Sequence, residues 1–148
     1  MTRIAVIGLG YIGLPTATVL ALRGFDVLGV DASQRVVDTL KQGKIHIVEP
    51  DLDISIAAAI QSGALQISTQ PTPADVFIIA VPTPFKDGHQ PDLSHVESAS
   101  RAIAPHLAPG NLVILESTSP VGTTHKVSEW LASERPDLKL PHEHPKDS

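Results

Sequence analysis

The sequence predicts an α/β fold, a Rossmann-type doubly wound and mostly parallel sheet with helices on both faces. Three observations predict it. Short aliphatic runs alternate with helix-like stretches along most of the 148 residues, the rhythm of βαβ units. The stronger runs are apolar throughout, as strands covered on both faces must be. A glycine-rich turn, Gly8-Leu9-Gly10-Tyr11-Ile12-Gly13, stands between the first run and the first helical stretch.

Each element follows from local pattern. Ile4-Ala5-Val6-Ile7 reads as a buried strand stopped by Gly8. Residues 11–22, rich in Ala, Leu and Thr, read as a helix that Arg23-Gly24 ends. Pro15 falls in its first turn, where a missing N–H is harmless. Val27-Leu28-Gly29-Val30 is the second strand, with Asp31 at its carboxyl end. A helix over 33–42 follows, with Val36, Val37 and Leu40 at helical spacing, and another over 51–62 carries Leu52, Ile56, Ala59 and Ile60 on one face.

Leu65-Gln66-Ile67 is a short strand, and Val76-Phe77-Ile78-Ile79-Ala80-Val81 is a strongly apolar central one. Residues 82–91 read as a loop rich in Pro and Gly. A helix over 93–107, a turn at Pro109-Gly110, the strand Leu112-Val113-Ile114-Leu115 and a helix over 123–133 complete the pattern. Residues 1–134 thus make one domain. Residues 135–148 lack apolar periodicity and read as a disordered, divergent tail.

Composition narrows the function. Eleven Lys and Arg stand against sixteen Asp and Glu, a net charge of −5, which speaks against nucleic acid or an anionic membrane as the partner. With three Phe, one Tyr and one Trp, the core has to be aliphatic. No cysteine is present, hence no disulfide, thiolate metal site or thiol nucleophile. The seven histidines are scattered and read as surface residues, with no metal site. No apolar stretch reaches the ~18 residues of a membrane span, and the N-terminal run is broken by glycine too early for a signal peptide. The expected location is cytoplasmic.

The glycine turn carries the chemistry. In a GxGxxG placed after a strand and opening a helix, the first glycine permits the turn and the second lets the backbone approach a pyrophosphate. The third allows close helix–strand packing. The helix N-terminus then offers free N–H groups and partial positive charge to the phosphates. Gly8, Gly10 and Gly13, with the Tyr11 and Ile12 backbone between them, are therefore candidate cofactor contacts. Such turns also occur without ligand, but Asp31 lies 18 residues past Gly13, near the ~20 expected of the acid that holds the adenosine ribose. Its charge repels a 2′-phosphate and favours NAD over NADP. Arg35 can stack on adenine, accept a 2′-phosphate or stand as a solvated helix charge; beside Asp31, stacking is preferred. Val81-Pro82-Thr83-Pro84 follows the central strand and residues 116–124 follow the last one, on the edge where open α/β sheets bind ligands. Their hydroxyls suit ribose and phosphate contacts or helix capping equally well.

Taken together, these segments resemble the UDP-glucose/GDP-mannose dehydrogenase family. The matching stretches are Val6 to Ala17, Gly29-Val30-Asp31, Ile45-His46-Ile47-Val48-Glu49-Pro50-Asp51-Leu52, Val81 to Lys86 and Glu116-Ser117-Thr118-Ser119-Pro120-Val121-Gly122. The third and fifth favour the N-acetylmannosamine branch over the glucose branch. The resemblance implies oxidation of a nucleotide-sugar C6 alcohol to a carboxylate with two NAD. It implies cofactor contacts from Tyr11, Ile12, Asp31, Arg35, Thr83 and Thr124, and an auxiliary role for Thr118 near the reacting carbon.

The family's sugar-binding domain, with its nucleophilic cysteine and its catalytic Lys and Asn, has no counterpart in these residues. A thioester route needs a thiolate, so the chain is expected to bind NAD as a truncated cofactor domain and not to oxidise sugar alone. The UDP-sugar is a partner only if a second domain is supplied, and a homodimer belongs to the full-length parent. A stand-alone non-enzymatic NAD-binding module and a 6-phosphogluconate or hydroxyacid-dehydrogenase cofactor domain are the alternatives. A bare sheet edge after the last strand is a further expectation, and with it a tendency to aggregate.

Overall fold

The computed structural model describes residues 1–48 and 51–146. Glu49 and Pro50 of the Ile45–Leu52 stretch lie outside the described residues, as do Asp147 and Ser148 at the end of the expected tail. In chain order the strands are β1 (Arg3–Ile7), β2 (Asp26–Val30), β3 (Leu65–Ser68), β4 (Val76–Ile79), β5 (Phe85–Lys86), β6 (Gln90–Pro91) and β7 (Leu112–Leu115). Five of them form one sheet in the order β3-β2-β1-β4-β7, every pair parallel. The helices are α1 (Gly13–Leu22), α2 (Gln34–Lys41), α3 (Leu52–Gln61), α4 (Ser94–Ile103) and α5 (Thr123–Glu134).

Alternation along the strands sorts two cores. Ile4, Val6, Val27 and Ile78 point to one face, under α1, α2 and α3 through Leu14, Ala17, Val37, Leu40 and Ile56. Ala5, Ile7, Leu28, Phe77 and Ile79 point to the other, under α4 and α5 through Val96, Ile103, Val127 and Leu131. Successive side chains of a strand face opposite ways, so continuous apolar runs fill both layers. Because connections after β1 cover one face and those after β4 the other, a crevice opens between the carboxyl ends of β1 and β4.

Four expectations differ from the structure. The 82–91 loop contains an antiparallel hairpin, Phe85 pairing with Pro91 and Lys86 with Gln90. Its turn uses Gly88 at φ +76° and His89 at φ +60°. The predicted 93–107 helix is α4 followed by a short 3₁₀ turn, Ala104–His106, because Pro105 supplies no amide to continue the α-helical ladder.

The stretch expected to fray is docked through Leu140 and His142. Leu140 is buried and Leu138 packs against the α4–α5 core. The Arg135 guanidinium donates to the Ala104 and Leu107 carbonyls at 2.9 and 2.7 Å. His142 bonds Ser128 and meets the His125 ring edge-on, centroids 5.4 Å apart, so it is not the surface histidine expected. Two leucines two positions apart carry no helical period, yet they cover apolar surface that α5 leaves open.

Candidate dinucleotide-binding crevice

At the centre of the crevice the chain leaves β1 and turns into α1. Gly8 sits at φ +97°, in the left-handed region, and a Cβ there would lie 2.6 Å from the Ala80 carbonyl oxygen. Gly13 is closed by packing instead: a Cβ would lie 1.7 Å from the Gly8 carbonyl oxygen. Gly10 is different from both, since a Cβ there would meet nothing within 4 Å. The first and third glycines make the turn; the second keeps its outer side clear. Leu9, between them, is fully buried. It fits because Gly29 on β2 has no side chain, and a Cβ on Gly29 would come within 3.0 Å of Leu9.

In the first turn of α1, Leu14 and Thr16 donate to the Gly10 and Ile12 carbonyls at 3.1 and 3.2 Å, and Pro15 has no N–H. The amides offered to the crevice are therefore those of Tyr11, Ile12 and Gly13 at the helix start; Tyr11 and Ile12 are exposed. Asp31 stands beside them at the end of β2. One carboxylate oxygen accepts the Leu9 amide at 3.0 Å and the other the Ser33 amide at 2.9 Å. A carboxylate has about four acceptor positions, so each oxygen keeps one for a hydroxyl. The Ser33 hydroxyl caps α2 through the Val36 amide at 3.4 Å, and Arg35 is exposed in the next turn. Open backbone at Gly10, free helix amides and a fixed carboxylate suit a pyrophosphate with an adjoining ribose.

The other half of the crevice is tied together by hydroxyls. Thr83 donates its Oγ1 hydrogen to the Thr118 carbonyl, joining the loops after β4 and β7. Ser117, buried, donates to the Val81 carbonyl at 2.8 Å, and the Glu116 amide donates to Ile79 at 2.8 Å. Thr16 on α1 donates to Glu116 Oε1 at 2.7 Å, a bridge across the crevice between residues a hundred apart in sequence. Glu116 and Ser117 lie in the 116–124 segment expected at this edge and Thr16 in the matching Val6–Ala17 stretch, but no local pattern shows that Thr16 and Glu116 meet.

Of the expected contacts, Gly8, Gly10, Tyr11, Ile12, Gly13 and Asp31 therefore gather at one turn, with Arg35 just beyond. Thr83 and Thr118 meet across the second half. Thr124, in the first turn of α5, lines a separate apolar groove of about 520 Å³ with Leu112, Val127, Leu131 and Leu140. That groove runs along β7, the sheet's outer strand, where Leu112 and Ile114 remain exposed. Among the described residues no cluster could hold a metal ion, and no helix is long and apolar enough to cross a membrane.

Comparison with known proteins agrees with this geometry. The chain is 61% identical over 98% of its length to an NDP-N-acetyl-D-galactosaminuronic acid dehydrogenase of Ralstonia nicotianae, of which it covers 34%. It is 59% identical over 95% of its length to the UDP-N-acetyl-D-mannosamine dehydrogenase of Escherichia coli K12, covering 33%. The UDP-N-acetyl-mannosamine dehydrogenase structure from Staphylococcus aureus superposes with a TM-score of 0.87 at 42% identity, over 94% of this chain and 34% of that one. The chain thus spans about a third of the relatives it matches. An arogenate dehydrogenase from Synechocystis, at 17% identity and a TM-score of 0.58, shares the fold alone. The model of the UDP-glucose/GDP-mannose dehydrogenase family's NAD binding domain matches residues 2–144, and the chain belongs to that family.

Proposed function

We propose that this chain is the cofactor half of a nucleotide-sugar 6-dehydrogenase of the type that converts UDP-N-acetylmannosamine to its uronate. The observation that carries the reading is the Asp31 carboxylate, held at the crevice by the Leu9 and Ser33 amides. In this reading Asp31 accepts hydrogen bonds from the adenosine ribose hydroxyls, and Arg35 lies along the adenine. The amides after Gly10 receive the pyrophosphate, with Tyr11 and Ile12 flanking it. Thr83 and Thr124 contact the nicotinamide half, and Thr118 assists beside the reacting carbon. Of the three, Thr124 has the weakest support, since it borders the β7 groove.

Bound NAD supplies the hydride acceptor. What these residues contribute is hold and orientation, which lower the barrier by positioning. With no cysteine in the 148 residues, the thiol that carries an aldehyde on to a carboxylate comes from a second domain, which also binds the UDP-sugar. The working unit is then a cytoplasmic homodimer of the longer protein. The mannosamine assignment is supported by relatives of that name, although the Ralstonia relative carries the galactosaminuronic name.

Titration calorimetry with NAD and NADP, on the chain and on Asp31→Ala, tests the reading. NAD should bind more tightly than NADP, and the substitution should remove that preference. Equal affinity for the two in the unmodified chain would overturn the role of Asp31.

A further inference from the structure

We infer that Glu116 sets the preference of this crevice for oxidised over reduced dinucleotide, acting as a fixed negative charge on its nicotinamide half. The inference rests on the cofactor reading above and adds a redox-state selectivity to it. Glu116 follows β7 directly, on the carboxyl edge of the sheet. With Asp31 and the adenosine at the β2 end, a dinucleotide laid across the switch point places its other half over β4 and β7. The carboxylate belongs to that second half.

Two contacts from different parts of the fold hold Glu116 in place. Its amide donates to the Ile79 carbonyl at 2.8 Å, which fixes the backbone against β4. Thr16 Oγ1 donates to its Oε1 at 2.7 Å, which fixes the carboxylate against α1. A hydroxyl partner orients the charge without neutralising it. The ion pairs of Arg3, Lys86, Arg101 and Arg135 go to other carboxylates, and Glu116 is exposed.

Oxidised and reduced nicotinamide differ by one positive charge, carried on the ring. A carboxylate on that side attracts the oxidised form and offers nothing to the reduced one. At the dielectric of an exposed crevice edge, one such charge shifts affinity by roughly three- to tenfold. Its sense is oxidative: the chain takes up the hydride acceptor and lets the reduced product go.

The test is calorimetric titration of NAD+ and NADH into the chain and into Glu116→Gln, at low and high salt. The glutamine keeps the Thr16 hydrogen bond and removes only the charge. Expected is a loss of roughly three- to tenfold in NAD+ affinity with NADH changed less than about twofold, the difference shrinking as salt rises. Thr16→Val, which frees the carboxylate, should give a smaller loss in the same direction. Equal changes for both forms would show a merely structural role and overturn the inference, as would no change in either. An unmodified chain that binds neither form overturns the cofactor reading, and this inference with it.

Discussion

The two halves of the crevice are built on different principles. On the β1–β2 side the backbone makes the site: a Cβ on Gly8 or Gly13 would lie 2.6 or 1.7 Å from a carbonyl oxygen, and the Asp31 carboxylate is clamped by two amides. On the β4–β7 side the site is made by side-chain hydroxyls, those of Thr83, Ser117 and Thr16, bonding to nearby oxygens. A backbone-built half tolerates almost no substitution. A hydroxyl-built half can lose one bond at a time, which makes it the half where selectivity can be adjusted.

The sharpest way to break that contrast is Gly13→Ala. Its Cβ would fall on the Gly8 carbonyl, which as backbone cannot swing aside, so folding should weaken by about 3 kcal/mol and NAD binding should vanish, read by thermal melting and calorimetry. Asp31→Ala leaves the Leu9 and Ser33 amides without their acceptor, so it should cost about 1–2 kcal/mol of stability and reduce NAD affinity by about ten- to a hundredfold, the value of hydrogen bonds to a charged group. Ser117→Ala, in the other half, removes one buried hydroxyl bond and should cost about 1 kcal/mol of stability by urea titration.

Gly10→Ala sharpens the comparison further, because the same Gly-to-Ala change should there leave stability within about 0.5 kcal/mol of the original while still weakening NAD binding. Should Gly10→Ala and Gly13→Ala behave alike, the division of labour among the glycines is wrong. The smallest effect is in the hairpin. Hydrogen bonds from Ser94 hold the Asp92 carboxyl down at about 2, with Lys86 adding to the shift. A depressed folded value means its contribution is complete above the ordinary carboxylate range and fades as pH falls toward 2. NMR titration should place the Asp92 midpoint near 2, and Lys86→Met should raise it slightly.

The same contrast explains what the sequence discloses. Buried parallel strands need unbroken apolar runs, and a backbone-built turn needs glycine, so β1, β2, β4, β7 and the Gly8–Gly13 turn are legible residue by residue. Asp31 is legible because the strand that carries it fixes its spacing. The hairpin is not, since β5 and β6 have two residues each and sit among prolines. The docking of Leu138 and Leu140 is hidden for another reason: it depends on which surface the sheet and α5 leave uncovered. Thr16 and Glu116 meet only because the fold brings α1 to the end of β7.

The account stands or falls on where the adenosine lies. A crystal of this chain grown with NAD should show the ribose hydroxyls within hydrogen-bond reach of the Asp31 carboxylate, with the diphosphate over Gly10 and the amides of Tyr11, Ile12 and Gly13. A dinucleotide seated instead in the apolar groove along β7, or a glycine turn left unvisited at saturating NAD, would contradict it.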